Sequence, residues 1–382
     1  MPLARPDLSG READLVAEVI SSGRLSLGPM QERFERHFAD WLGVDDAVAV
    51  SSGTAALHLC VRALGWKEGD RVITTPFTFV ASANCLLYEN VQPVFADVDP
   101  ITLCIDPVDV EAKVDDSTAG ILPVHIFGWP AAMPELEAIA ARHDLGILED
   151  SCQALGAVCS DGVMTGARGN AAIFAFYANK QLTTGEGGML IPVDAEMAAR
   201  ARSERNQGRA ADMSMVDHER LGFNYRLSEV ASAIGVGQME RLDQLLADRA
   251  RVASLYNEAL GEIGAVHAGE GDFDGLLIPC RDAEPEQRSW FVYPVRVPTG
   301  RDVHQVASSL TDRGISAKSY LPCVHLLPDY RERFGFEEGT CPNAEAASLR
   351  SLALPFHGGM QAEDVNRVAT ELASVLEEKE TG

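Results

Sequence analysis

Lysine is scarce in this chain of 382 residues: only Lys67, Lys113, Lys180, Lys318 and Lys379 occur, and arginine supplies the rest of the 32 basic side chains. Positive charge as a whole is short, because 57 Asp+Glu bring the formal net charge to −25. A surface this acidic repels a phosphate backbone, so nucleic acid is excluded as an expected partner. The acidic residues form no long block, and they read as a solubility or salt-adaptation surface. Long apolar runs are also missing. None approaches the ~18 residues that a membrane helix needs, so no membrane partner is expected. Met1–Gly10 lacks the apolar centre of a signal peptide. The eight cysteines contain no CxxC pair and no histidine cluster at zinc spacing, so no metal is expected. Most lie in apolar runs such as Leu57–Cys60 and read as reduced core thiols of a cytoplasmic protein.

What is present is an ordinary globular composition, 46% apolar, in a chain long enough for a large domain and a smaller one. Short apolar runs alternate with helical repeats up to about residue 240. Strands are predicted at Ala47–Val50, Arg71–Thr74, Gln92–Ala96, Gly120–Val124, Leu145–Leu148, Ala171–Phe176 and Met189–Ile191. Helices fall between most of them, including Met133–His143. Strands separated by helices imply an α/β domain with a mostly parallel sheet. One long helix is predicted from about Ser228 to Leu260. Beyond it, a strand at Phe291–Val297 and helices at His304–Arg313 and Ala362–Glu378 suggest a smaller α+β domain. The expected division is 1–240 and 241–382.

In open parallel sheets, ligands gather at the carboxyl ends of the strands, and the polar motifs of this chain follow strands. Lys180 comes after the apolar run Ile173–Tyr177 and before Gly185-Glu186-Gly187-Gly188. It is either an exposed loop lysine or a partly desolvated amine able to form a Schiff base. Ser51-Ser52-Gly53-Thr54-Ala55 joins a strand to a helix, where free N–H groups make an anion site, although Ser and Thr are also common helix caps. Glu149-Asp150-Ser151-Cys152-Gln153 ends a strand. Asp150 there suits a pyridine nitrogen or a helix N-terminus. In Thr75-Pro76-Phe77-Thr78-Phe79, either aromatic fits a flat ligand or the core. Asn224 and Arg226, in Gly222–Ser228, are candidate phosphate or substrate contacts, or parts of a capped loop.

In this order the motifs resemble the DegT/DnrJ/EryC1/StrS family of sugar aminotransferases that use pyridoxal 5'-phosphate (PLP). The resemblance runs from Leu25-Ser26-Leu27-Gly28-Pro29 to Leu354-Pro355-Phe356-His357. It includes Pro93-Val94-Phe95-Ala96-Asp97, Val124-His125-Ile126-Phe127-Gly128 and Gly222-Phe223-Asn224-Tyr225-Arg226. It implies PLP fold type I, the aspartate aminotransferase-like fold, in a homodimer with shared active sites. It implies Lys180 as the Schiff-base lysine and proton shuttle, and Asp150 at the pyridine nitrogen. Gln153 would lie near the ring hydroxyl, Phe79 on the ring face, and Gly53, Thr54 and Ala55 at the phosphate. Asn224 would reach the neighbouring subunit's phosphate.

The implied substrates are L-glutamate and a nucleotide-linked keto deoxysugar. Tyr320-Leu321-Pro322-Cys323-Val324-His325-Leu326 resembles a segment near the sugar, where His325 either touches substrate or packs. One departure is visible: relatives read Phe-Ser-Phe where this chain has Phe174-Ala175-Phe176, and that serine bonds the phosphate. Rival readings are a related sugar dehydratase, which has histidine in place of the lysine, an aminotransferase of a cyclitol or other cyclic ketone, and a non-catalytic PLP-binding regulator.

Overall fold

The alternation of apolar strands and helices builds a mixed seven-stranded sheet. In the computed structural model, residues 1–210, 217–271 and 274–378 are described. The first part of the chain contains α1 (Gly10–Ser22), α2 (Pro29–Leu42), β1 (Val48–Val50), α3 (Gly53–Ala63), β2 (Arg71–Thr74), α4 (Ala81–Leu87), β3 (Gln92–Phe95), α5 (Pro107–Lys113), β4 (Thr118–Leu122), α6 (Met133–His143), β5 (Gly146–Asp150), β6 (Ala171–Ala175), β7 (Gly188–Pro192) and α7 (Ala195–Arg205). The sheet order is β1-β7-β6-β5-β4-β2-β3. Neighbours from β6 through β3 run parallel, while β7 is antiparallel to both β6 and β1. The expected α/β class with a mostly parallel sheet is the one observed. The strand interiors are buried on both faces, as parallel strands covered by helices must be.

The single helix predicted from Ser228 to Leu260 is two helices, α8 (Glu229–Met239) and α9 (Leu242–Glu262). The break falls at Glu240-Arg241, where Arg241 leaves helical geometry with φ −135°. Its guanidinium donates to the main-chain carbonyl and the carboxylate of Asp7, both at 2.6 Å. Glu240 accepts from Arg11 and Arg33. These long-range bonds hold the bend, and a periodicity count along α8–α9 does not contain them.

The second sheet, in the order β11-β12-β10-β9-β8, is formed by β8 (Val266–His267), β9 (Leu277–Ile278), β10 (Tyr293–Arg296), β11 (Lys318–Ser319) and β12 (Ser351–Leu354). Around it stand α9, α10 (Val303–Asp312) and α13 (Ala362–Glu377), with Tyr256, Tyr293, Phe356 and Leu372 in a common core. The loop expected at Gly269–Gly275 falls partly outside the described residues.

Contacts cross residue 240 in both directions. Ser316 N–H donates to Met1 O at 3.0 Å and Phe356 N–H to Leu3 O at 2.8 Å, tying the first residues to the second sheet. Conversely, α11 (Pro328–Phe334) and α12 (Pro342–Arg350) lie on the first core. Tyr330 Oη donates to Asn84 at 2.7 Å, and the carboxylate of Asp97 accepts from the N–H groups of Asn343 and Ala344 at the start of α12.

Gly28 shows why one motif glycine is needed. The buried Glu229 carboxylate accepts from Met30 N–H at 2.8 Å and Gln31 N–H at 3.0 Å, capping α2 from another helix. A Cβ on Gly28 would lie 2.5 Å from that carboxylate oxygen. Gly28→Ala is therefore expected to destabilise the fold by about 1–3 kcal/mol. Gly261→Ala, inside α9 and facing open space, should stabilise it by about 0.5–1 kcal/mol. Urea titrations of both variants check the pair.

Candidate active site

Five loops that follow the strands converge at one edge of the large sheet. Asp150 is the last residue of β5 and is buried. Its Oδ2 accepts from Ser82 Oγ at 2.7 Å, and its Oδ1 from the N–H of Cys152 at 3.1 Å. Ser82 has one hydroxyl proton and gives it to Asp150, so Thr78 Oγ1, at 2.9 Å, is the donor to Ser82. The carboxylate is thus held from the loop after β2 as well as from its own strand. The sequence reading missed Ser82. Its signal is position alone, the second residue of α4, three beyond the Thr75–Phe79 motif.

Lys180 follows the adjacent parallel strand, β6, and is half-buried. Its N–H donates to Tyr177 O at 3.0 Å, closing a turn. Burial lowers the proton affinity of its amine, and the nearby Cys152 and Asp150 oppose that effect. The amine lies 4.0 Å from the centre of the Phe291 ring. Burial and Asp150 push the pKa of the Cys152 thiol up, and Lys180 opposes them.

Gly53 and Thr54 begin α3, where the first N–H groups have no partner within the helix. Ser52 Oγ accepts from Ala55 N–H at 3.1 Å and fixes the helix start. Two close approaches shape this corner. A Cβ on Gly53 would be 2.7 Å from the Ala175 methyl and 3.1 Å from Cys152 Sγ. A Cβ on Gly188 would be 2.5 Å from the backbone of Ser52. The glycines thus let β6 and β7 pass directly under the helix start, and Ala175 adjoins it.

Gln153 is buried, and its Oε1 accepts from Phe127 N–H at 3.0 Å. This leaves the amide NH2 as its donor toward a ligand. The Phe127 turn has a second anchor. His125 Nδ1 accepts from Ala131 N–H at 2.9 Å, so Nε2 carries the proton and donates to Glu149 at 3.0 Å. Both side chains are fully buried. Gly128 completes the turn at φ +88°, where a Cβ would overlap Ser289 O at 1.6 Å.

Of the two aromatics after β2, Phe77 is fully buried against Phe127, and Phe79 is 61% exposed. Phe79 is the one free to cover a ring. Tyr225 O accepts from Ser51 N–H at 2.8 Å, which brings the Gly222–Ser228 strap beside the α3 start. On this strap Asn224 is exposed, while Arg226 donates to Asn206 Oδ1 at 3.0 Å. His325 is elsewhere. It is fully buried, paired with Glu345 at 3.0 Å and packed near Phe95 and Phe336. Of the two readings, substrate contact or packing, this burial fits packing, and it keeps the imidazole's pKa below the usual value.

The arrangement fits PLP: unpaired helix N–H groups suit its phosphate, a carboxylate its ring nitrogen, and an amine of lowered proton affinity its aldehyde. The model of the DegT/DnrJ/EryC1/StrS aminotransferase family matches residues 6–373. GDP-perosamine synthase of Caulobacter vibrioides is 35% identical to this chain, over 98% of each. The spore coat polysaccharide biosynthesis protein SpsC of Bacillus subtilis is 34% identical, over 98% of this chain and 97% of its own. The aminotransferase TlmJ of Streptoalloteichus hindustanus superposes with a TM-score of 0.89 at 31% identity, over 98% of each chain.

The position of Ala175 beside Gly53 generates a prediction. Ala175→Ser adds a hydroxyl next to the helix start, and a hydrogen bond to a charged group contributes about 1.5–3 kcal/mol. The variant should hold PLP roughly 10- to 100-fold more tightly. Dissociation constants of PLP for the two proteins decide it, and equal values remove the idea.

Proposed function

Because the chain belongs to the DegT/DnrJ/EryC1/StrS aminotransferase family, we propose that it moves the amino group of L-glutamate onto a keto group of a nucleotide-linked deoxysugar, in the biosynthesis of amino sugars or polysaccharides. It is a PLP-dependent sugar aminotransferase with the aspartate aminotransferase-like fold. The nucleotide-linked substrate is supported by the perosamine synthase relative, whose name carries GDP. The polysaccharide setting is supported by the spore coat relative.

One observation carries the residue assignment: Asp150 ends β5 and Lys180 lies in the loop that follows its parallel neighbour β6, the amine with lowered proton affinity and the carboxylate held by two donors. When bound, PLP supplies an electrophilic aldehyde and an electron sink. Lys180 would hold the aldehyde, and its released amine would take a proton from the amino-bearing carbon of the donor in one half of the cycle and give one to the former keto carbon of the acceptor in the other. Asp150 holds a proton at the ring nitrogen, and Ser82 keeps the carboxylate aimed there. Gly53 and Thr54 would offer their N–H groups to the phosphate beside Ala55, whose own N–H is taken by Ser52 Oγ, and Gln153 would donate to the ring oxygen. Phe79 covers one ring face. Arg226, held by Asn206, is the strap's candidate for contact with substrate.

A homodimer completes the site, with Asn224 reaching the phosphate in the neighbouring subunit. The exposed side chains of Tyr88 and Leu221 support an interface.

Borohydride reduction of the native enzyme, followed by peptide mapping, should place the cofactor label on Lys180; a label on another lysine ends the assignment. L-glutamate alone should convert the yellow enzyme to the pyridoxamine spectrum, and a nucleotide keto sugar should then restore it. A PLP-binding regulator would show no conversion. Lys180→Gln should lower kcat by about 10²- to 10⁴-fold or more, the contribution of a placed acid–base group.

A further inference from the structure

Arg249 has no part in the assignment above, and its surroundings are unusual for an arginine. It lies on α9 and is buried. Its guanidinium meets carbonyl oxygens rather than a carboxylate. Nη1 donates to Phe291 O at 3.1 Å, and Nη2 to Lys180 O at 3.0 Å and Asn179 O at 3.5 Å. Removing a guanidinium from water is costly unless its donors are satisfied. Burial lowers its pKa to about 10.

Both main carbonyl partners belong to residues that also face each other through their side chains. The Lys180 amine sits over the Phe291 ring, 4.0 Å from its centre. An aromatic face attracts an ammonium group and favours its charged form. One planar fork therefore fixes the backbone of the amine and the backbone of the ring beneath it, which a single-point lysine ammonium does not reproduce.

We infer that the Phe291 ring is the seat of the Lys180 amine, and that Arg249 is the positioning residue that keeps seat and amine together. This rests on the reading of Lys180 as the reacting amine. The other charged or titratable groups facing this place are Asp150 at the end of β5, Cys152 just beyond it, Tyr320 after β11, and Asp7 and His357, which interact with Arg249. Burial pushes the Lys180 proton affinity down, whereas Asp150, Cys152 and the ring hold it up. Loss of the ring contact moves the titration to lower pH.

The test uses the cofactor-free protein, so it needs no turnover. Few lysines compete, and competitive acetylation across a pH series, read by peptide mass spectrometry, gives the midpoint of Lys180 directly. Phe291→Leu should lower that midpoint by roughly 0.4–1.5 units, and Phe291→Tyr should leave it near the wild-type value. Arg249→Lys keeps the charge and loses the fork, so it should lower the midpoint in the same direction. Combined with Phe291→Leu, it should add little, because both act through one contact.

An unchanged midpoint in Phe291→Leu overturns the seat, as does a full shift shared by Phe291→Tyr. An unchanged midpoint in Arg249→Lys, or full additivity in the double variant, overturns the positioning role. Borohydride mapping tests the Schiff-base assignment separately, so failure of one is distinguishable from failure of the other.

Discussion

The rest of the site depends on the parallel pairing of β5 with β6. Two adjacent strands running the same way deliver their last residues to the same edge. Here those residues lead to a carboxylate and an amine. The pairing continues one residue past the end of β5, where Ser151 N–H donates to Ile173 O at 3.0 Å. Such a junction suits a flat ring only if the backbone around it is thin. Gly53 and Gly188 provide that by letting the α3 start rest directly on β6 and β7. Charge, hydrogen bonding and packing are thus set by one sheet register, and a slip of one residue would turn the Asp150 side chain to the opposite face.

Much of this was legible in the sequence because it is local. The strand pattern located β2 and α6 to the residue, and most other strands to within two. Lys180 and Asp150 stood out as polar residues closing apolar runs. What was not legible depends on distant partners. The bend between α8 and α9 is held by Asp7 and Arg11. His325 belongs to a pair with Glu345, with no signal in its own segment. Ser82 reaches Asp150 across 68 positions. Arg249 lies on a helix where an arginine ordinarily means a wet face, and only the fold shows its carbonyl partners. Phe77 and Phe79 look alike in sequence, and burial alone separates them.

The motifs also differ in what their conservative features do physically. Gly28 makes room for the Glu229 cap, Gly128 for the Ser289 carbonyl, and Gly53 for strand β6. Each is a spacing device, placed where backbone or a capped carboxylate comes near. The buried His125–Glu149 pair is a different device: its two side chains and three main-chain N–H groups tie the turn that orients Gln153. Substrate-facing residues carry no such signature, which is why the class of reaction reads more clearly than the sugar.

The first residues of the chain end up beside Ser316 and Phe356. Residues 1–3 are made well before Ser316 and Phe356, so this contact waits for partners that lie 313 or more positions further along the chain. All seven strands of the first sheet are complete by Pro192, so the second sheet gains this edge contact after the first sheet has its full set of strands.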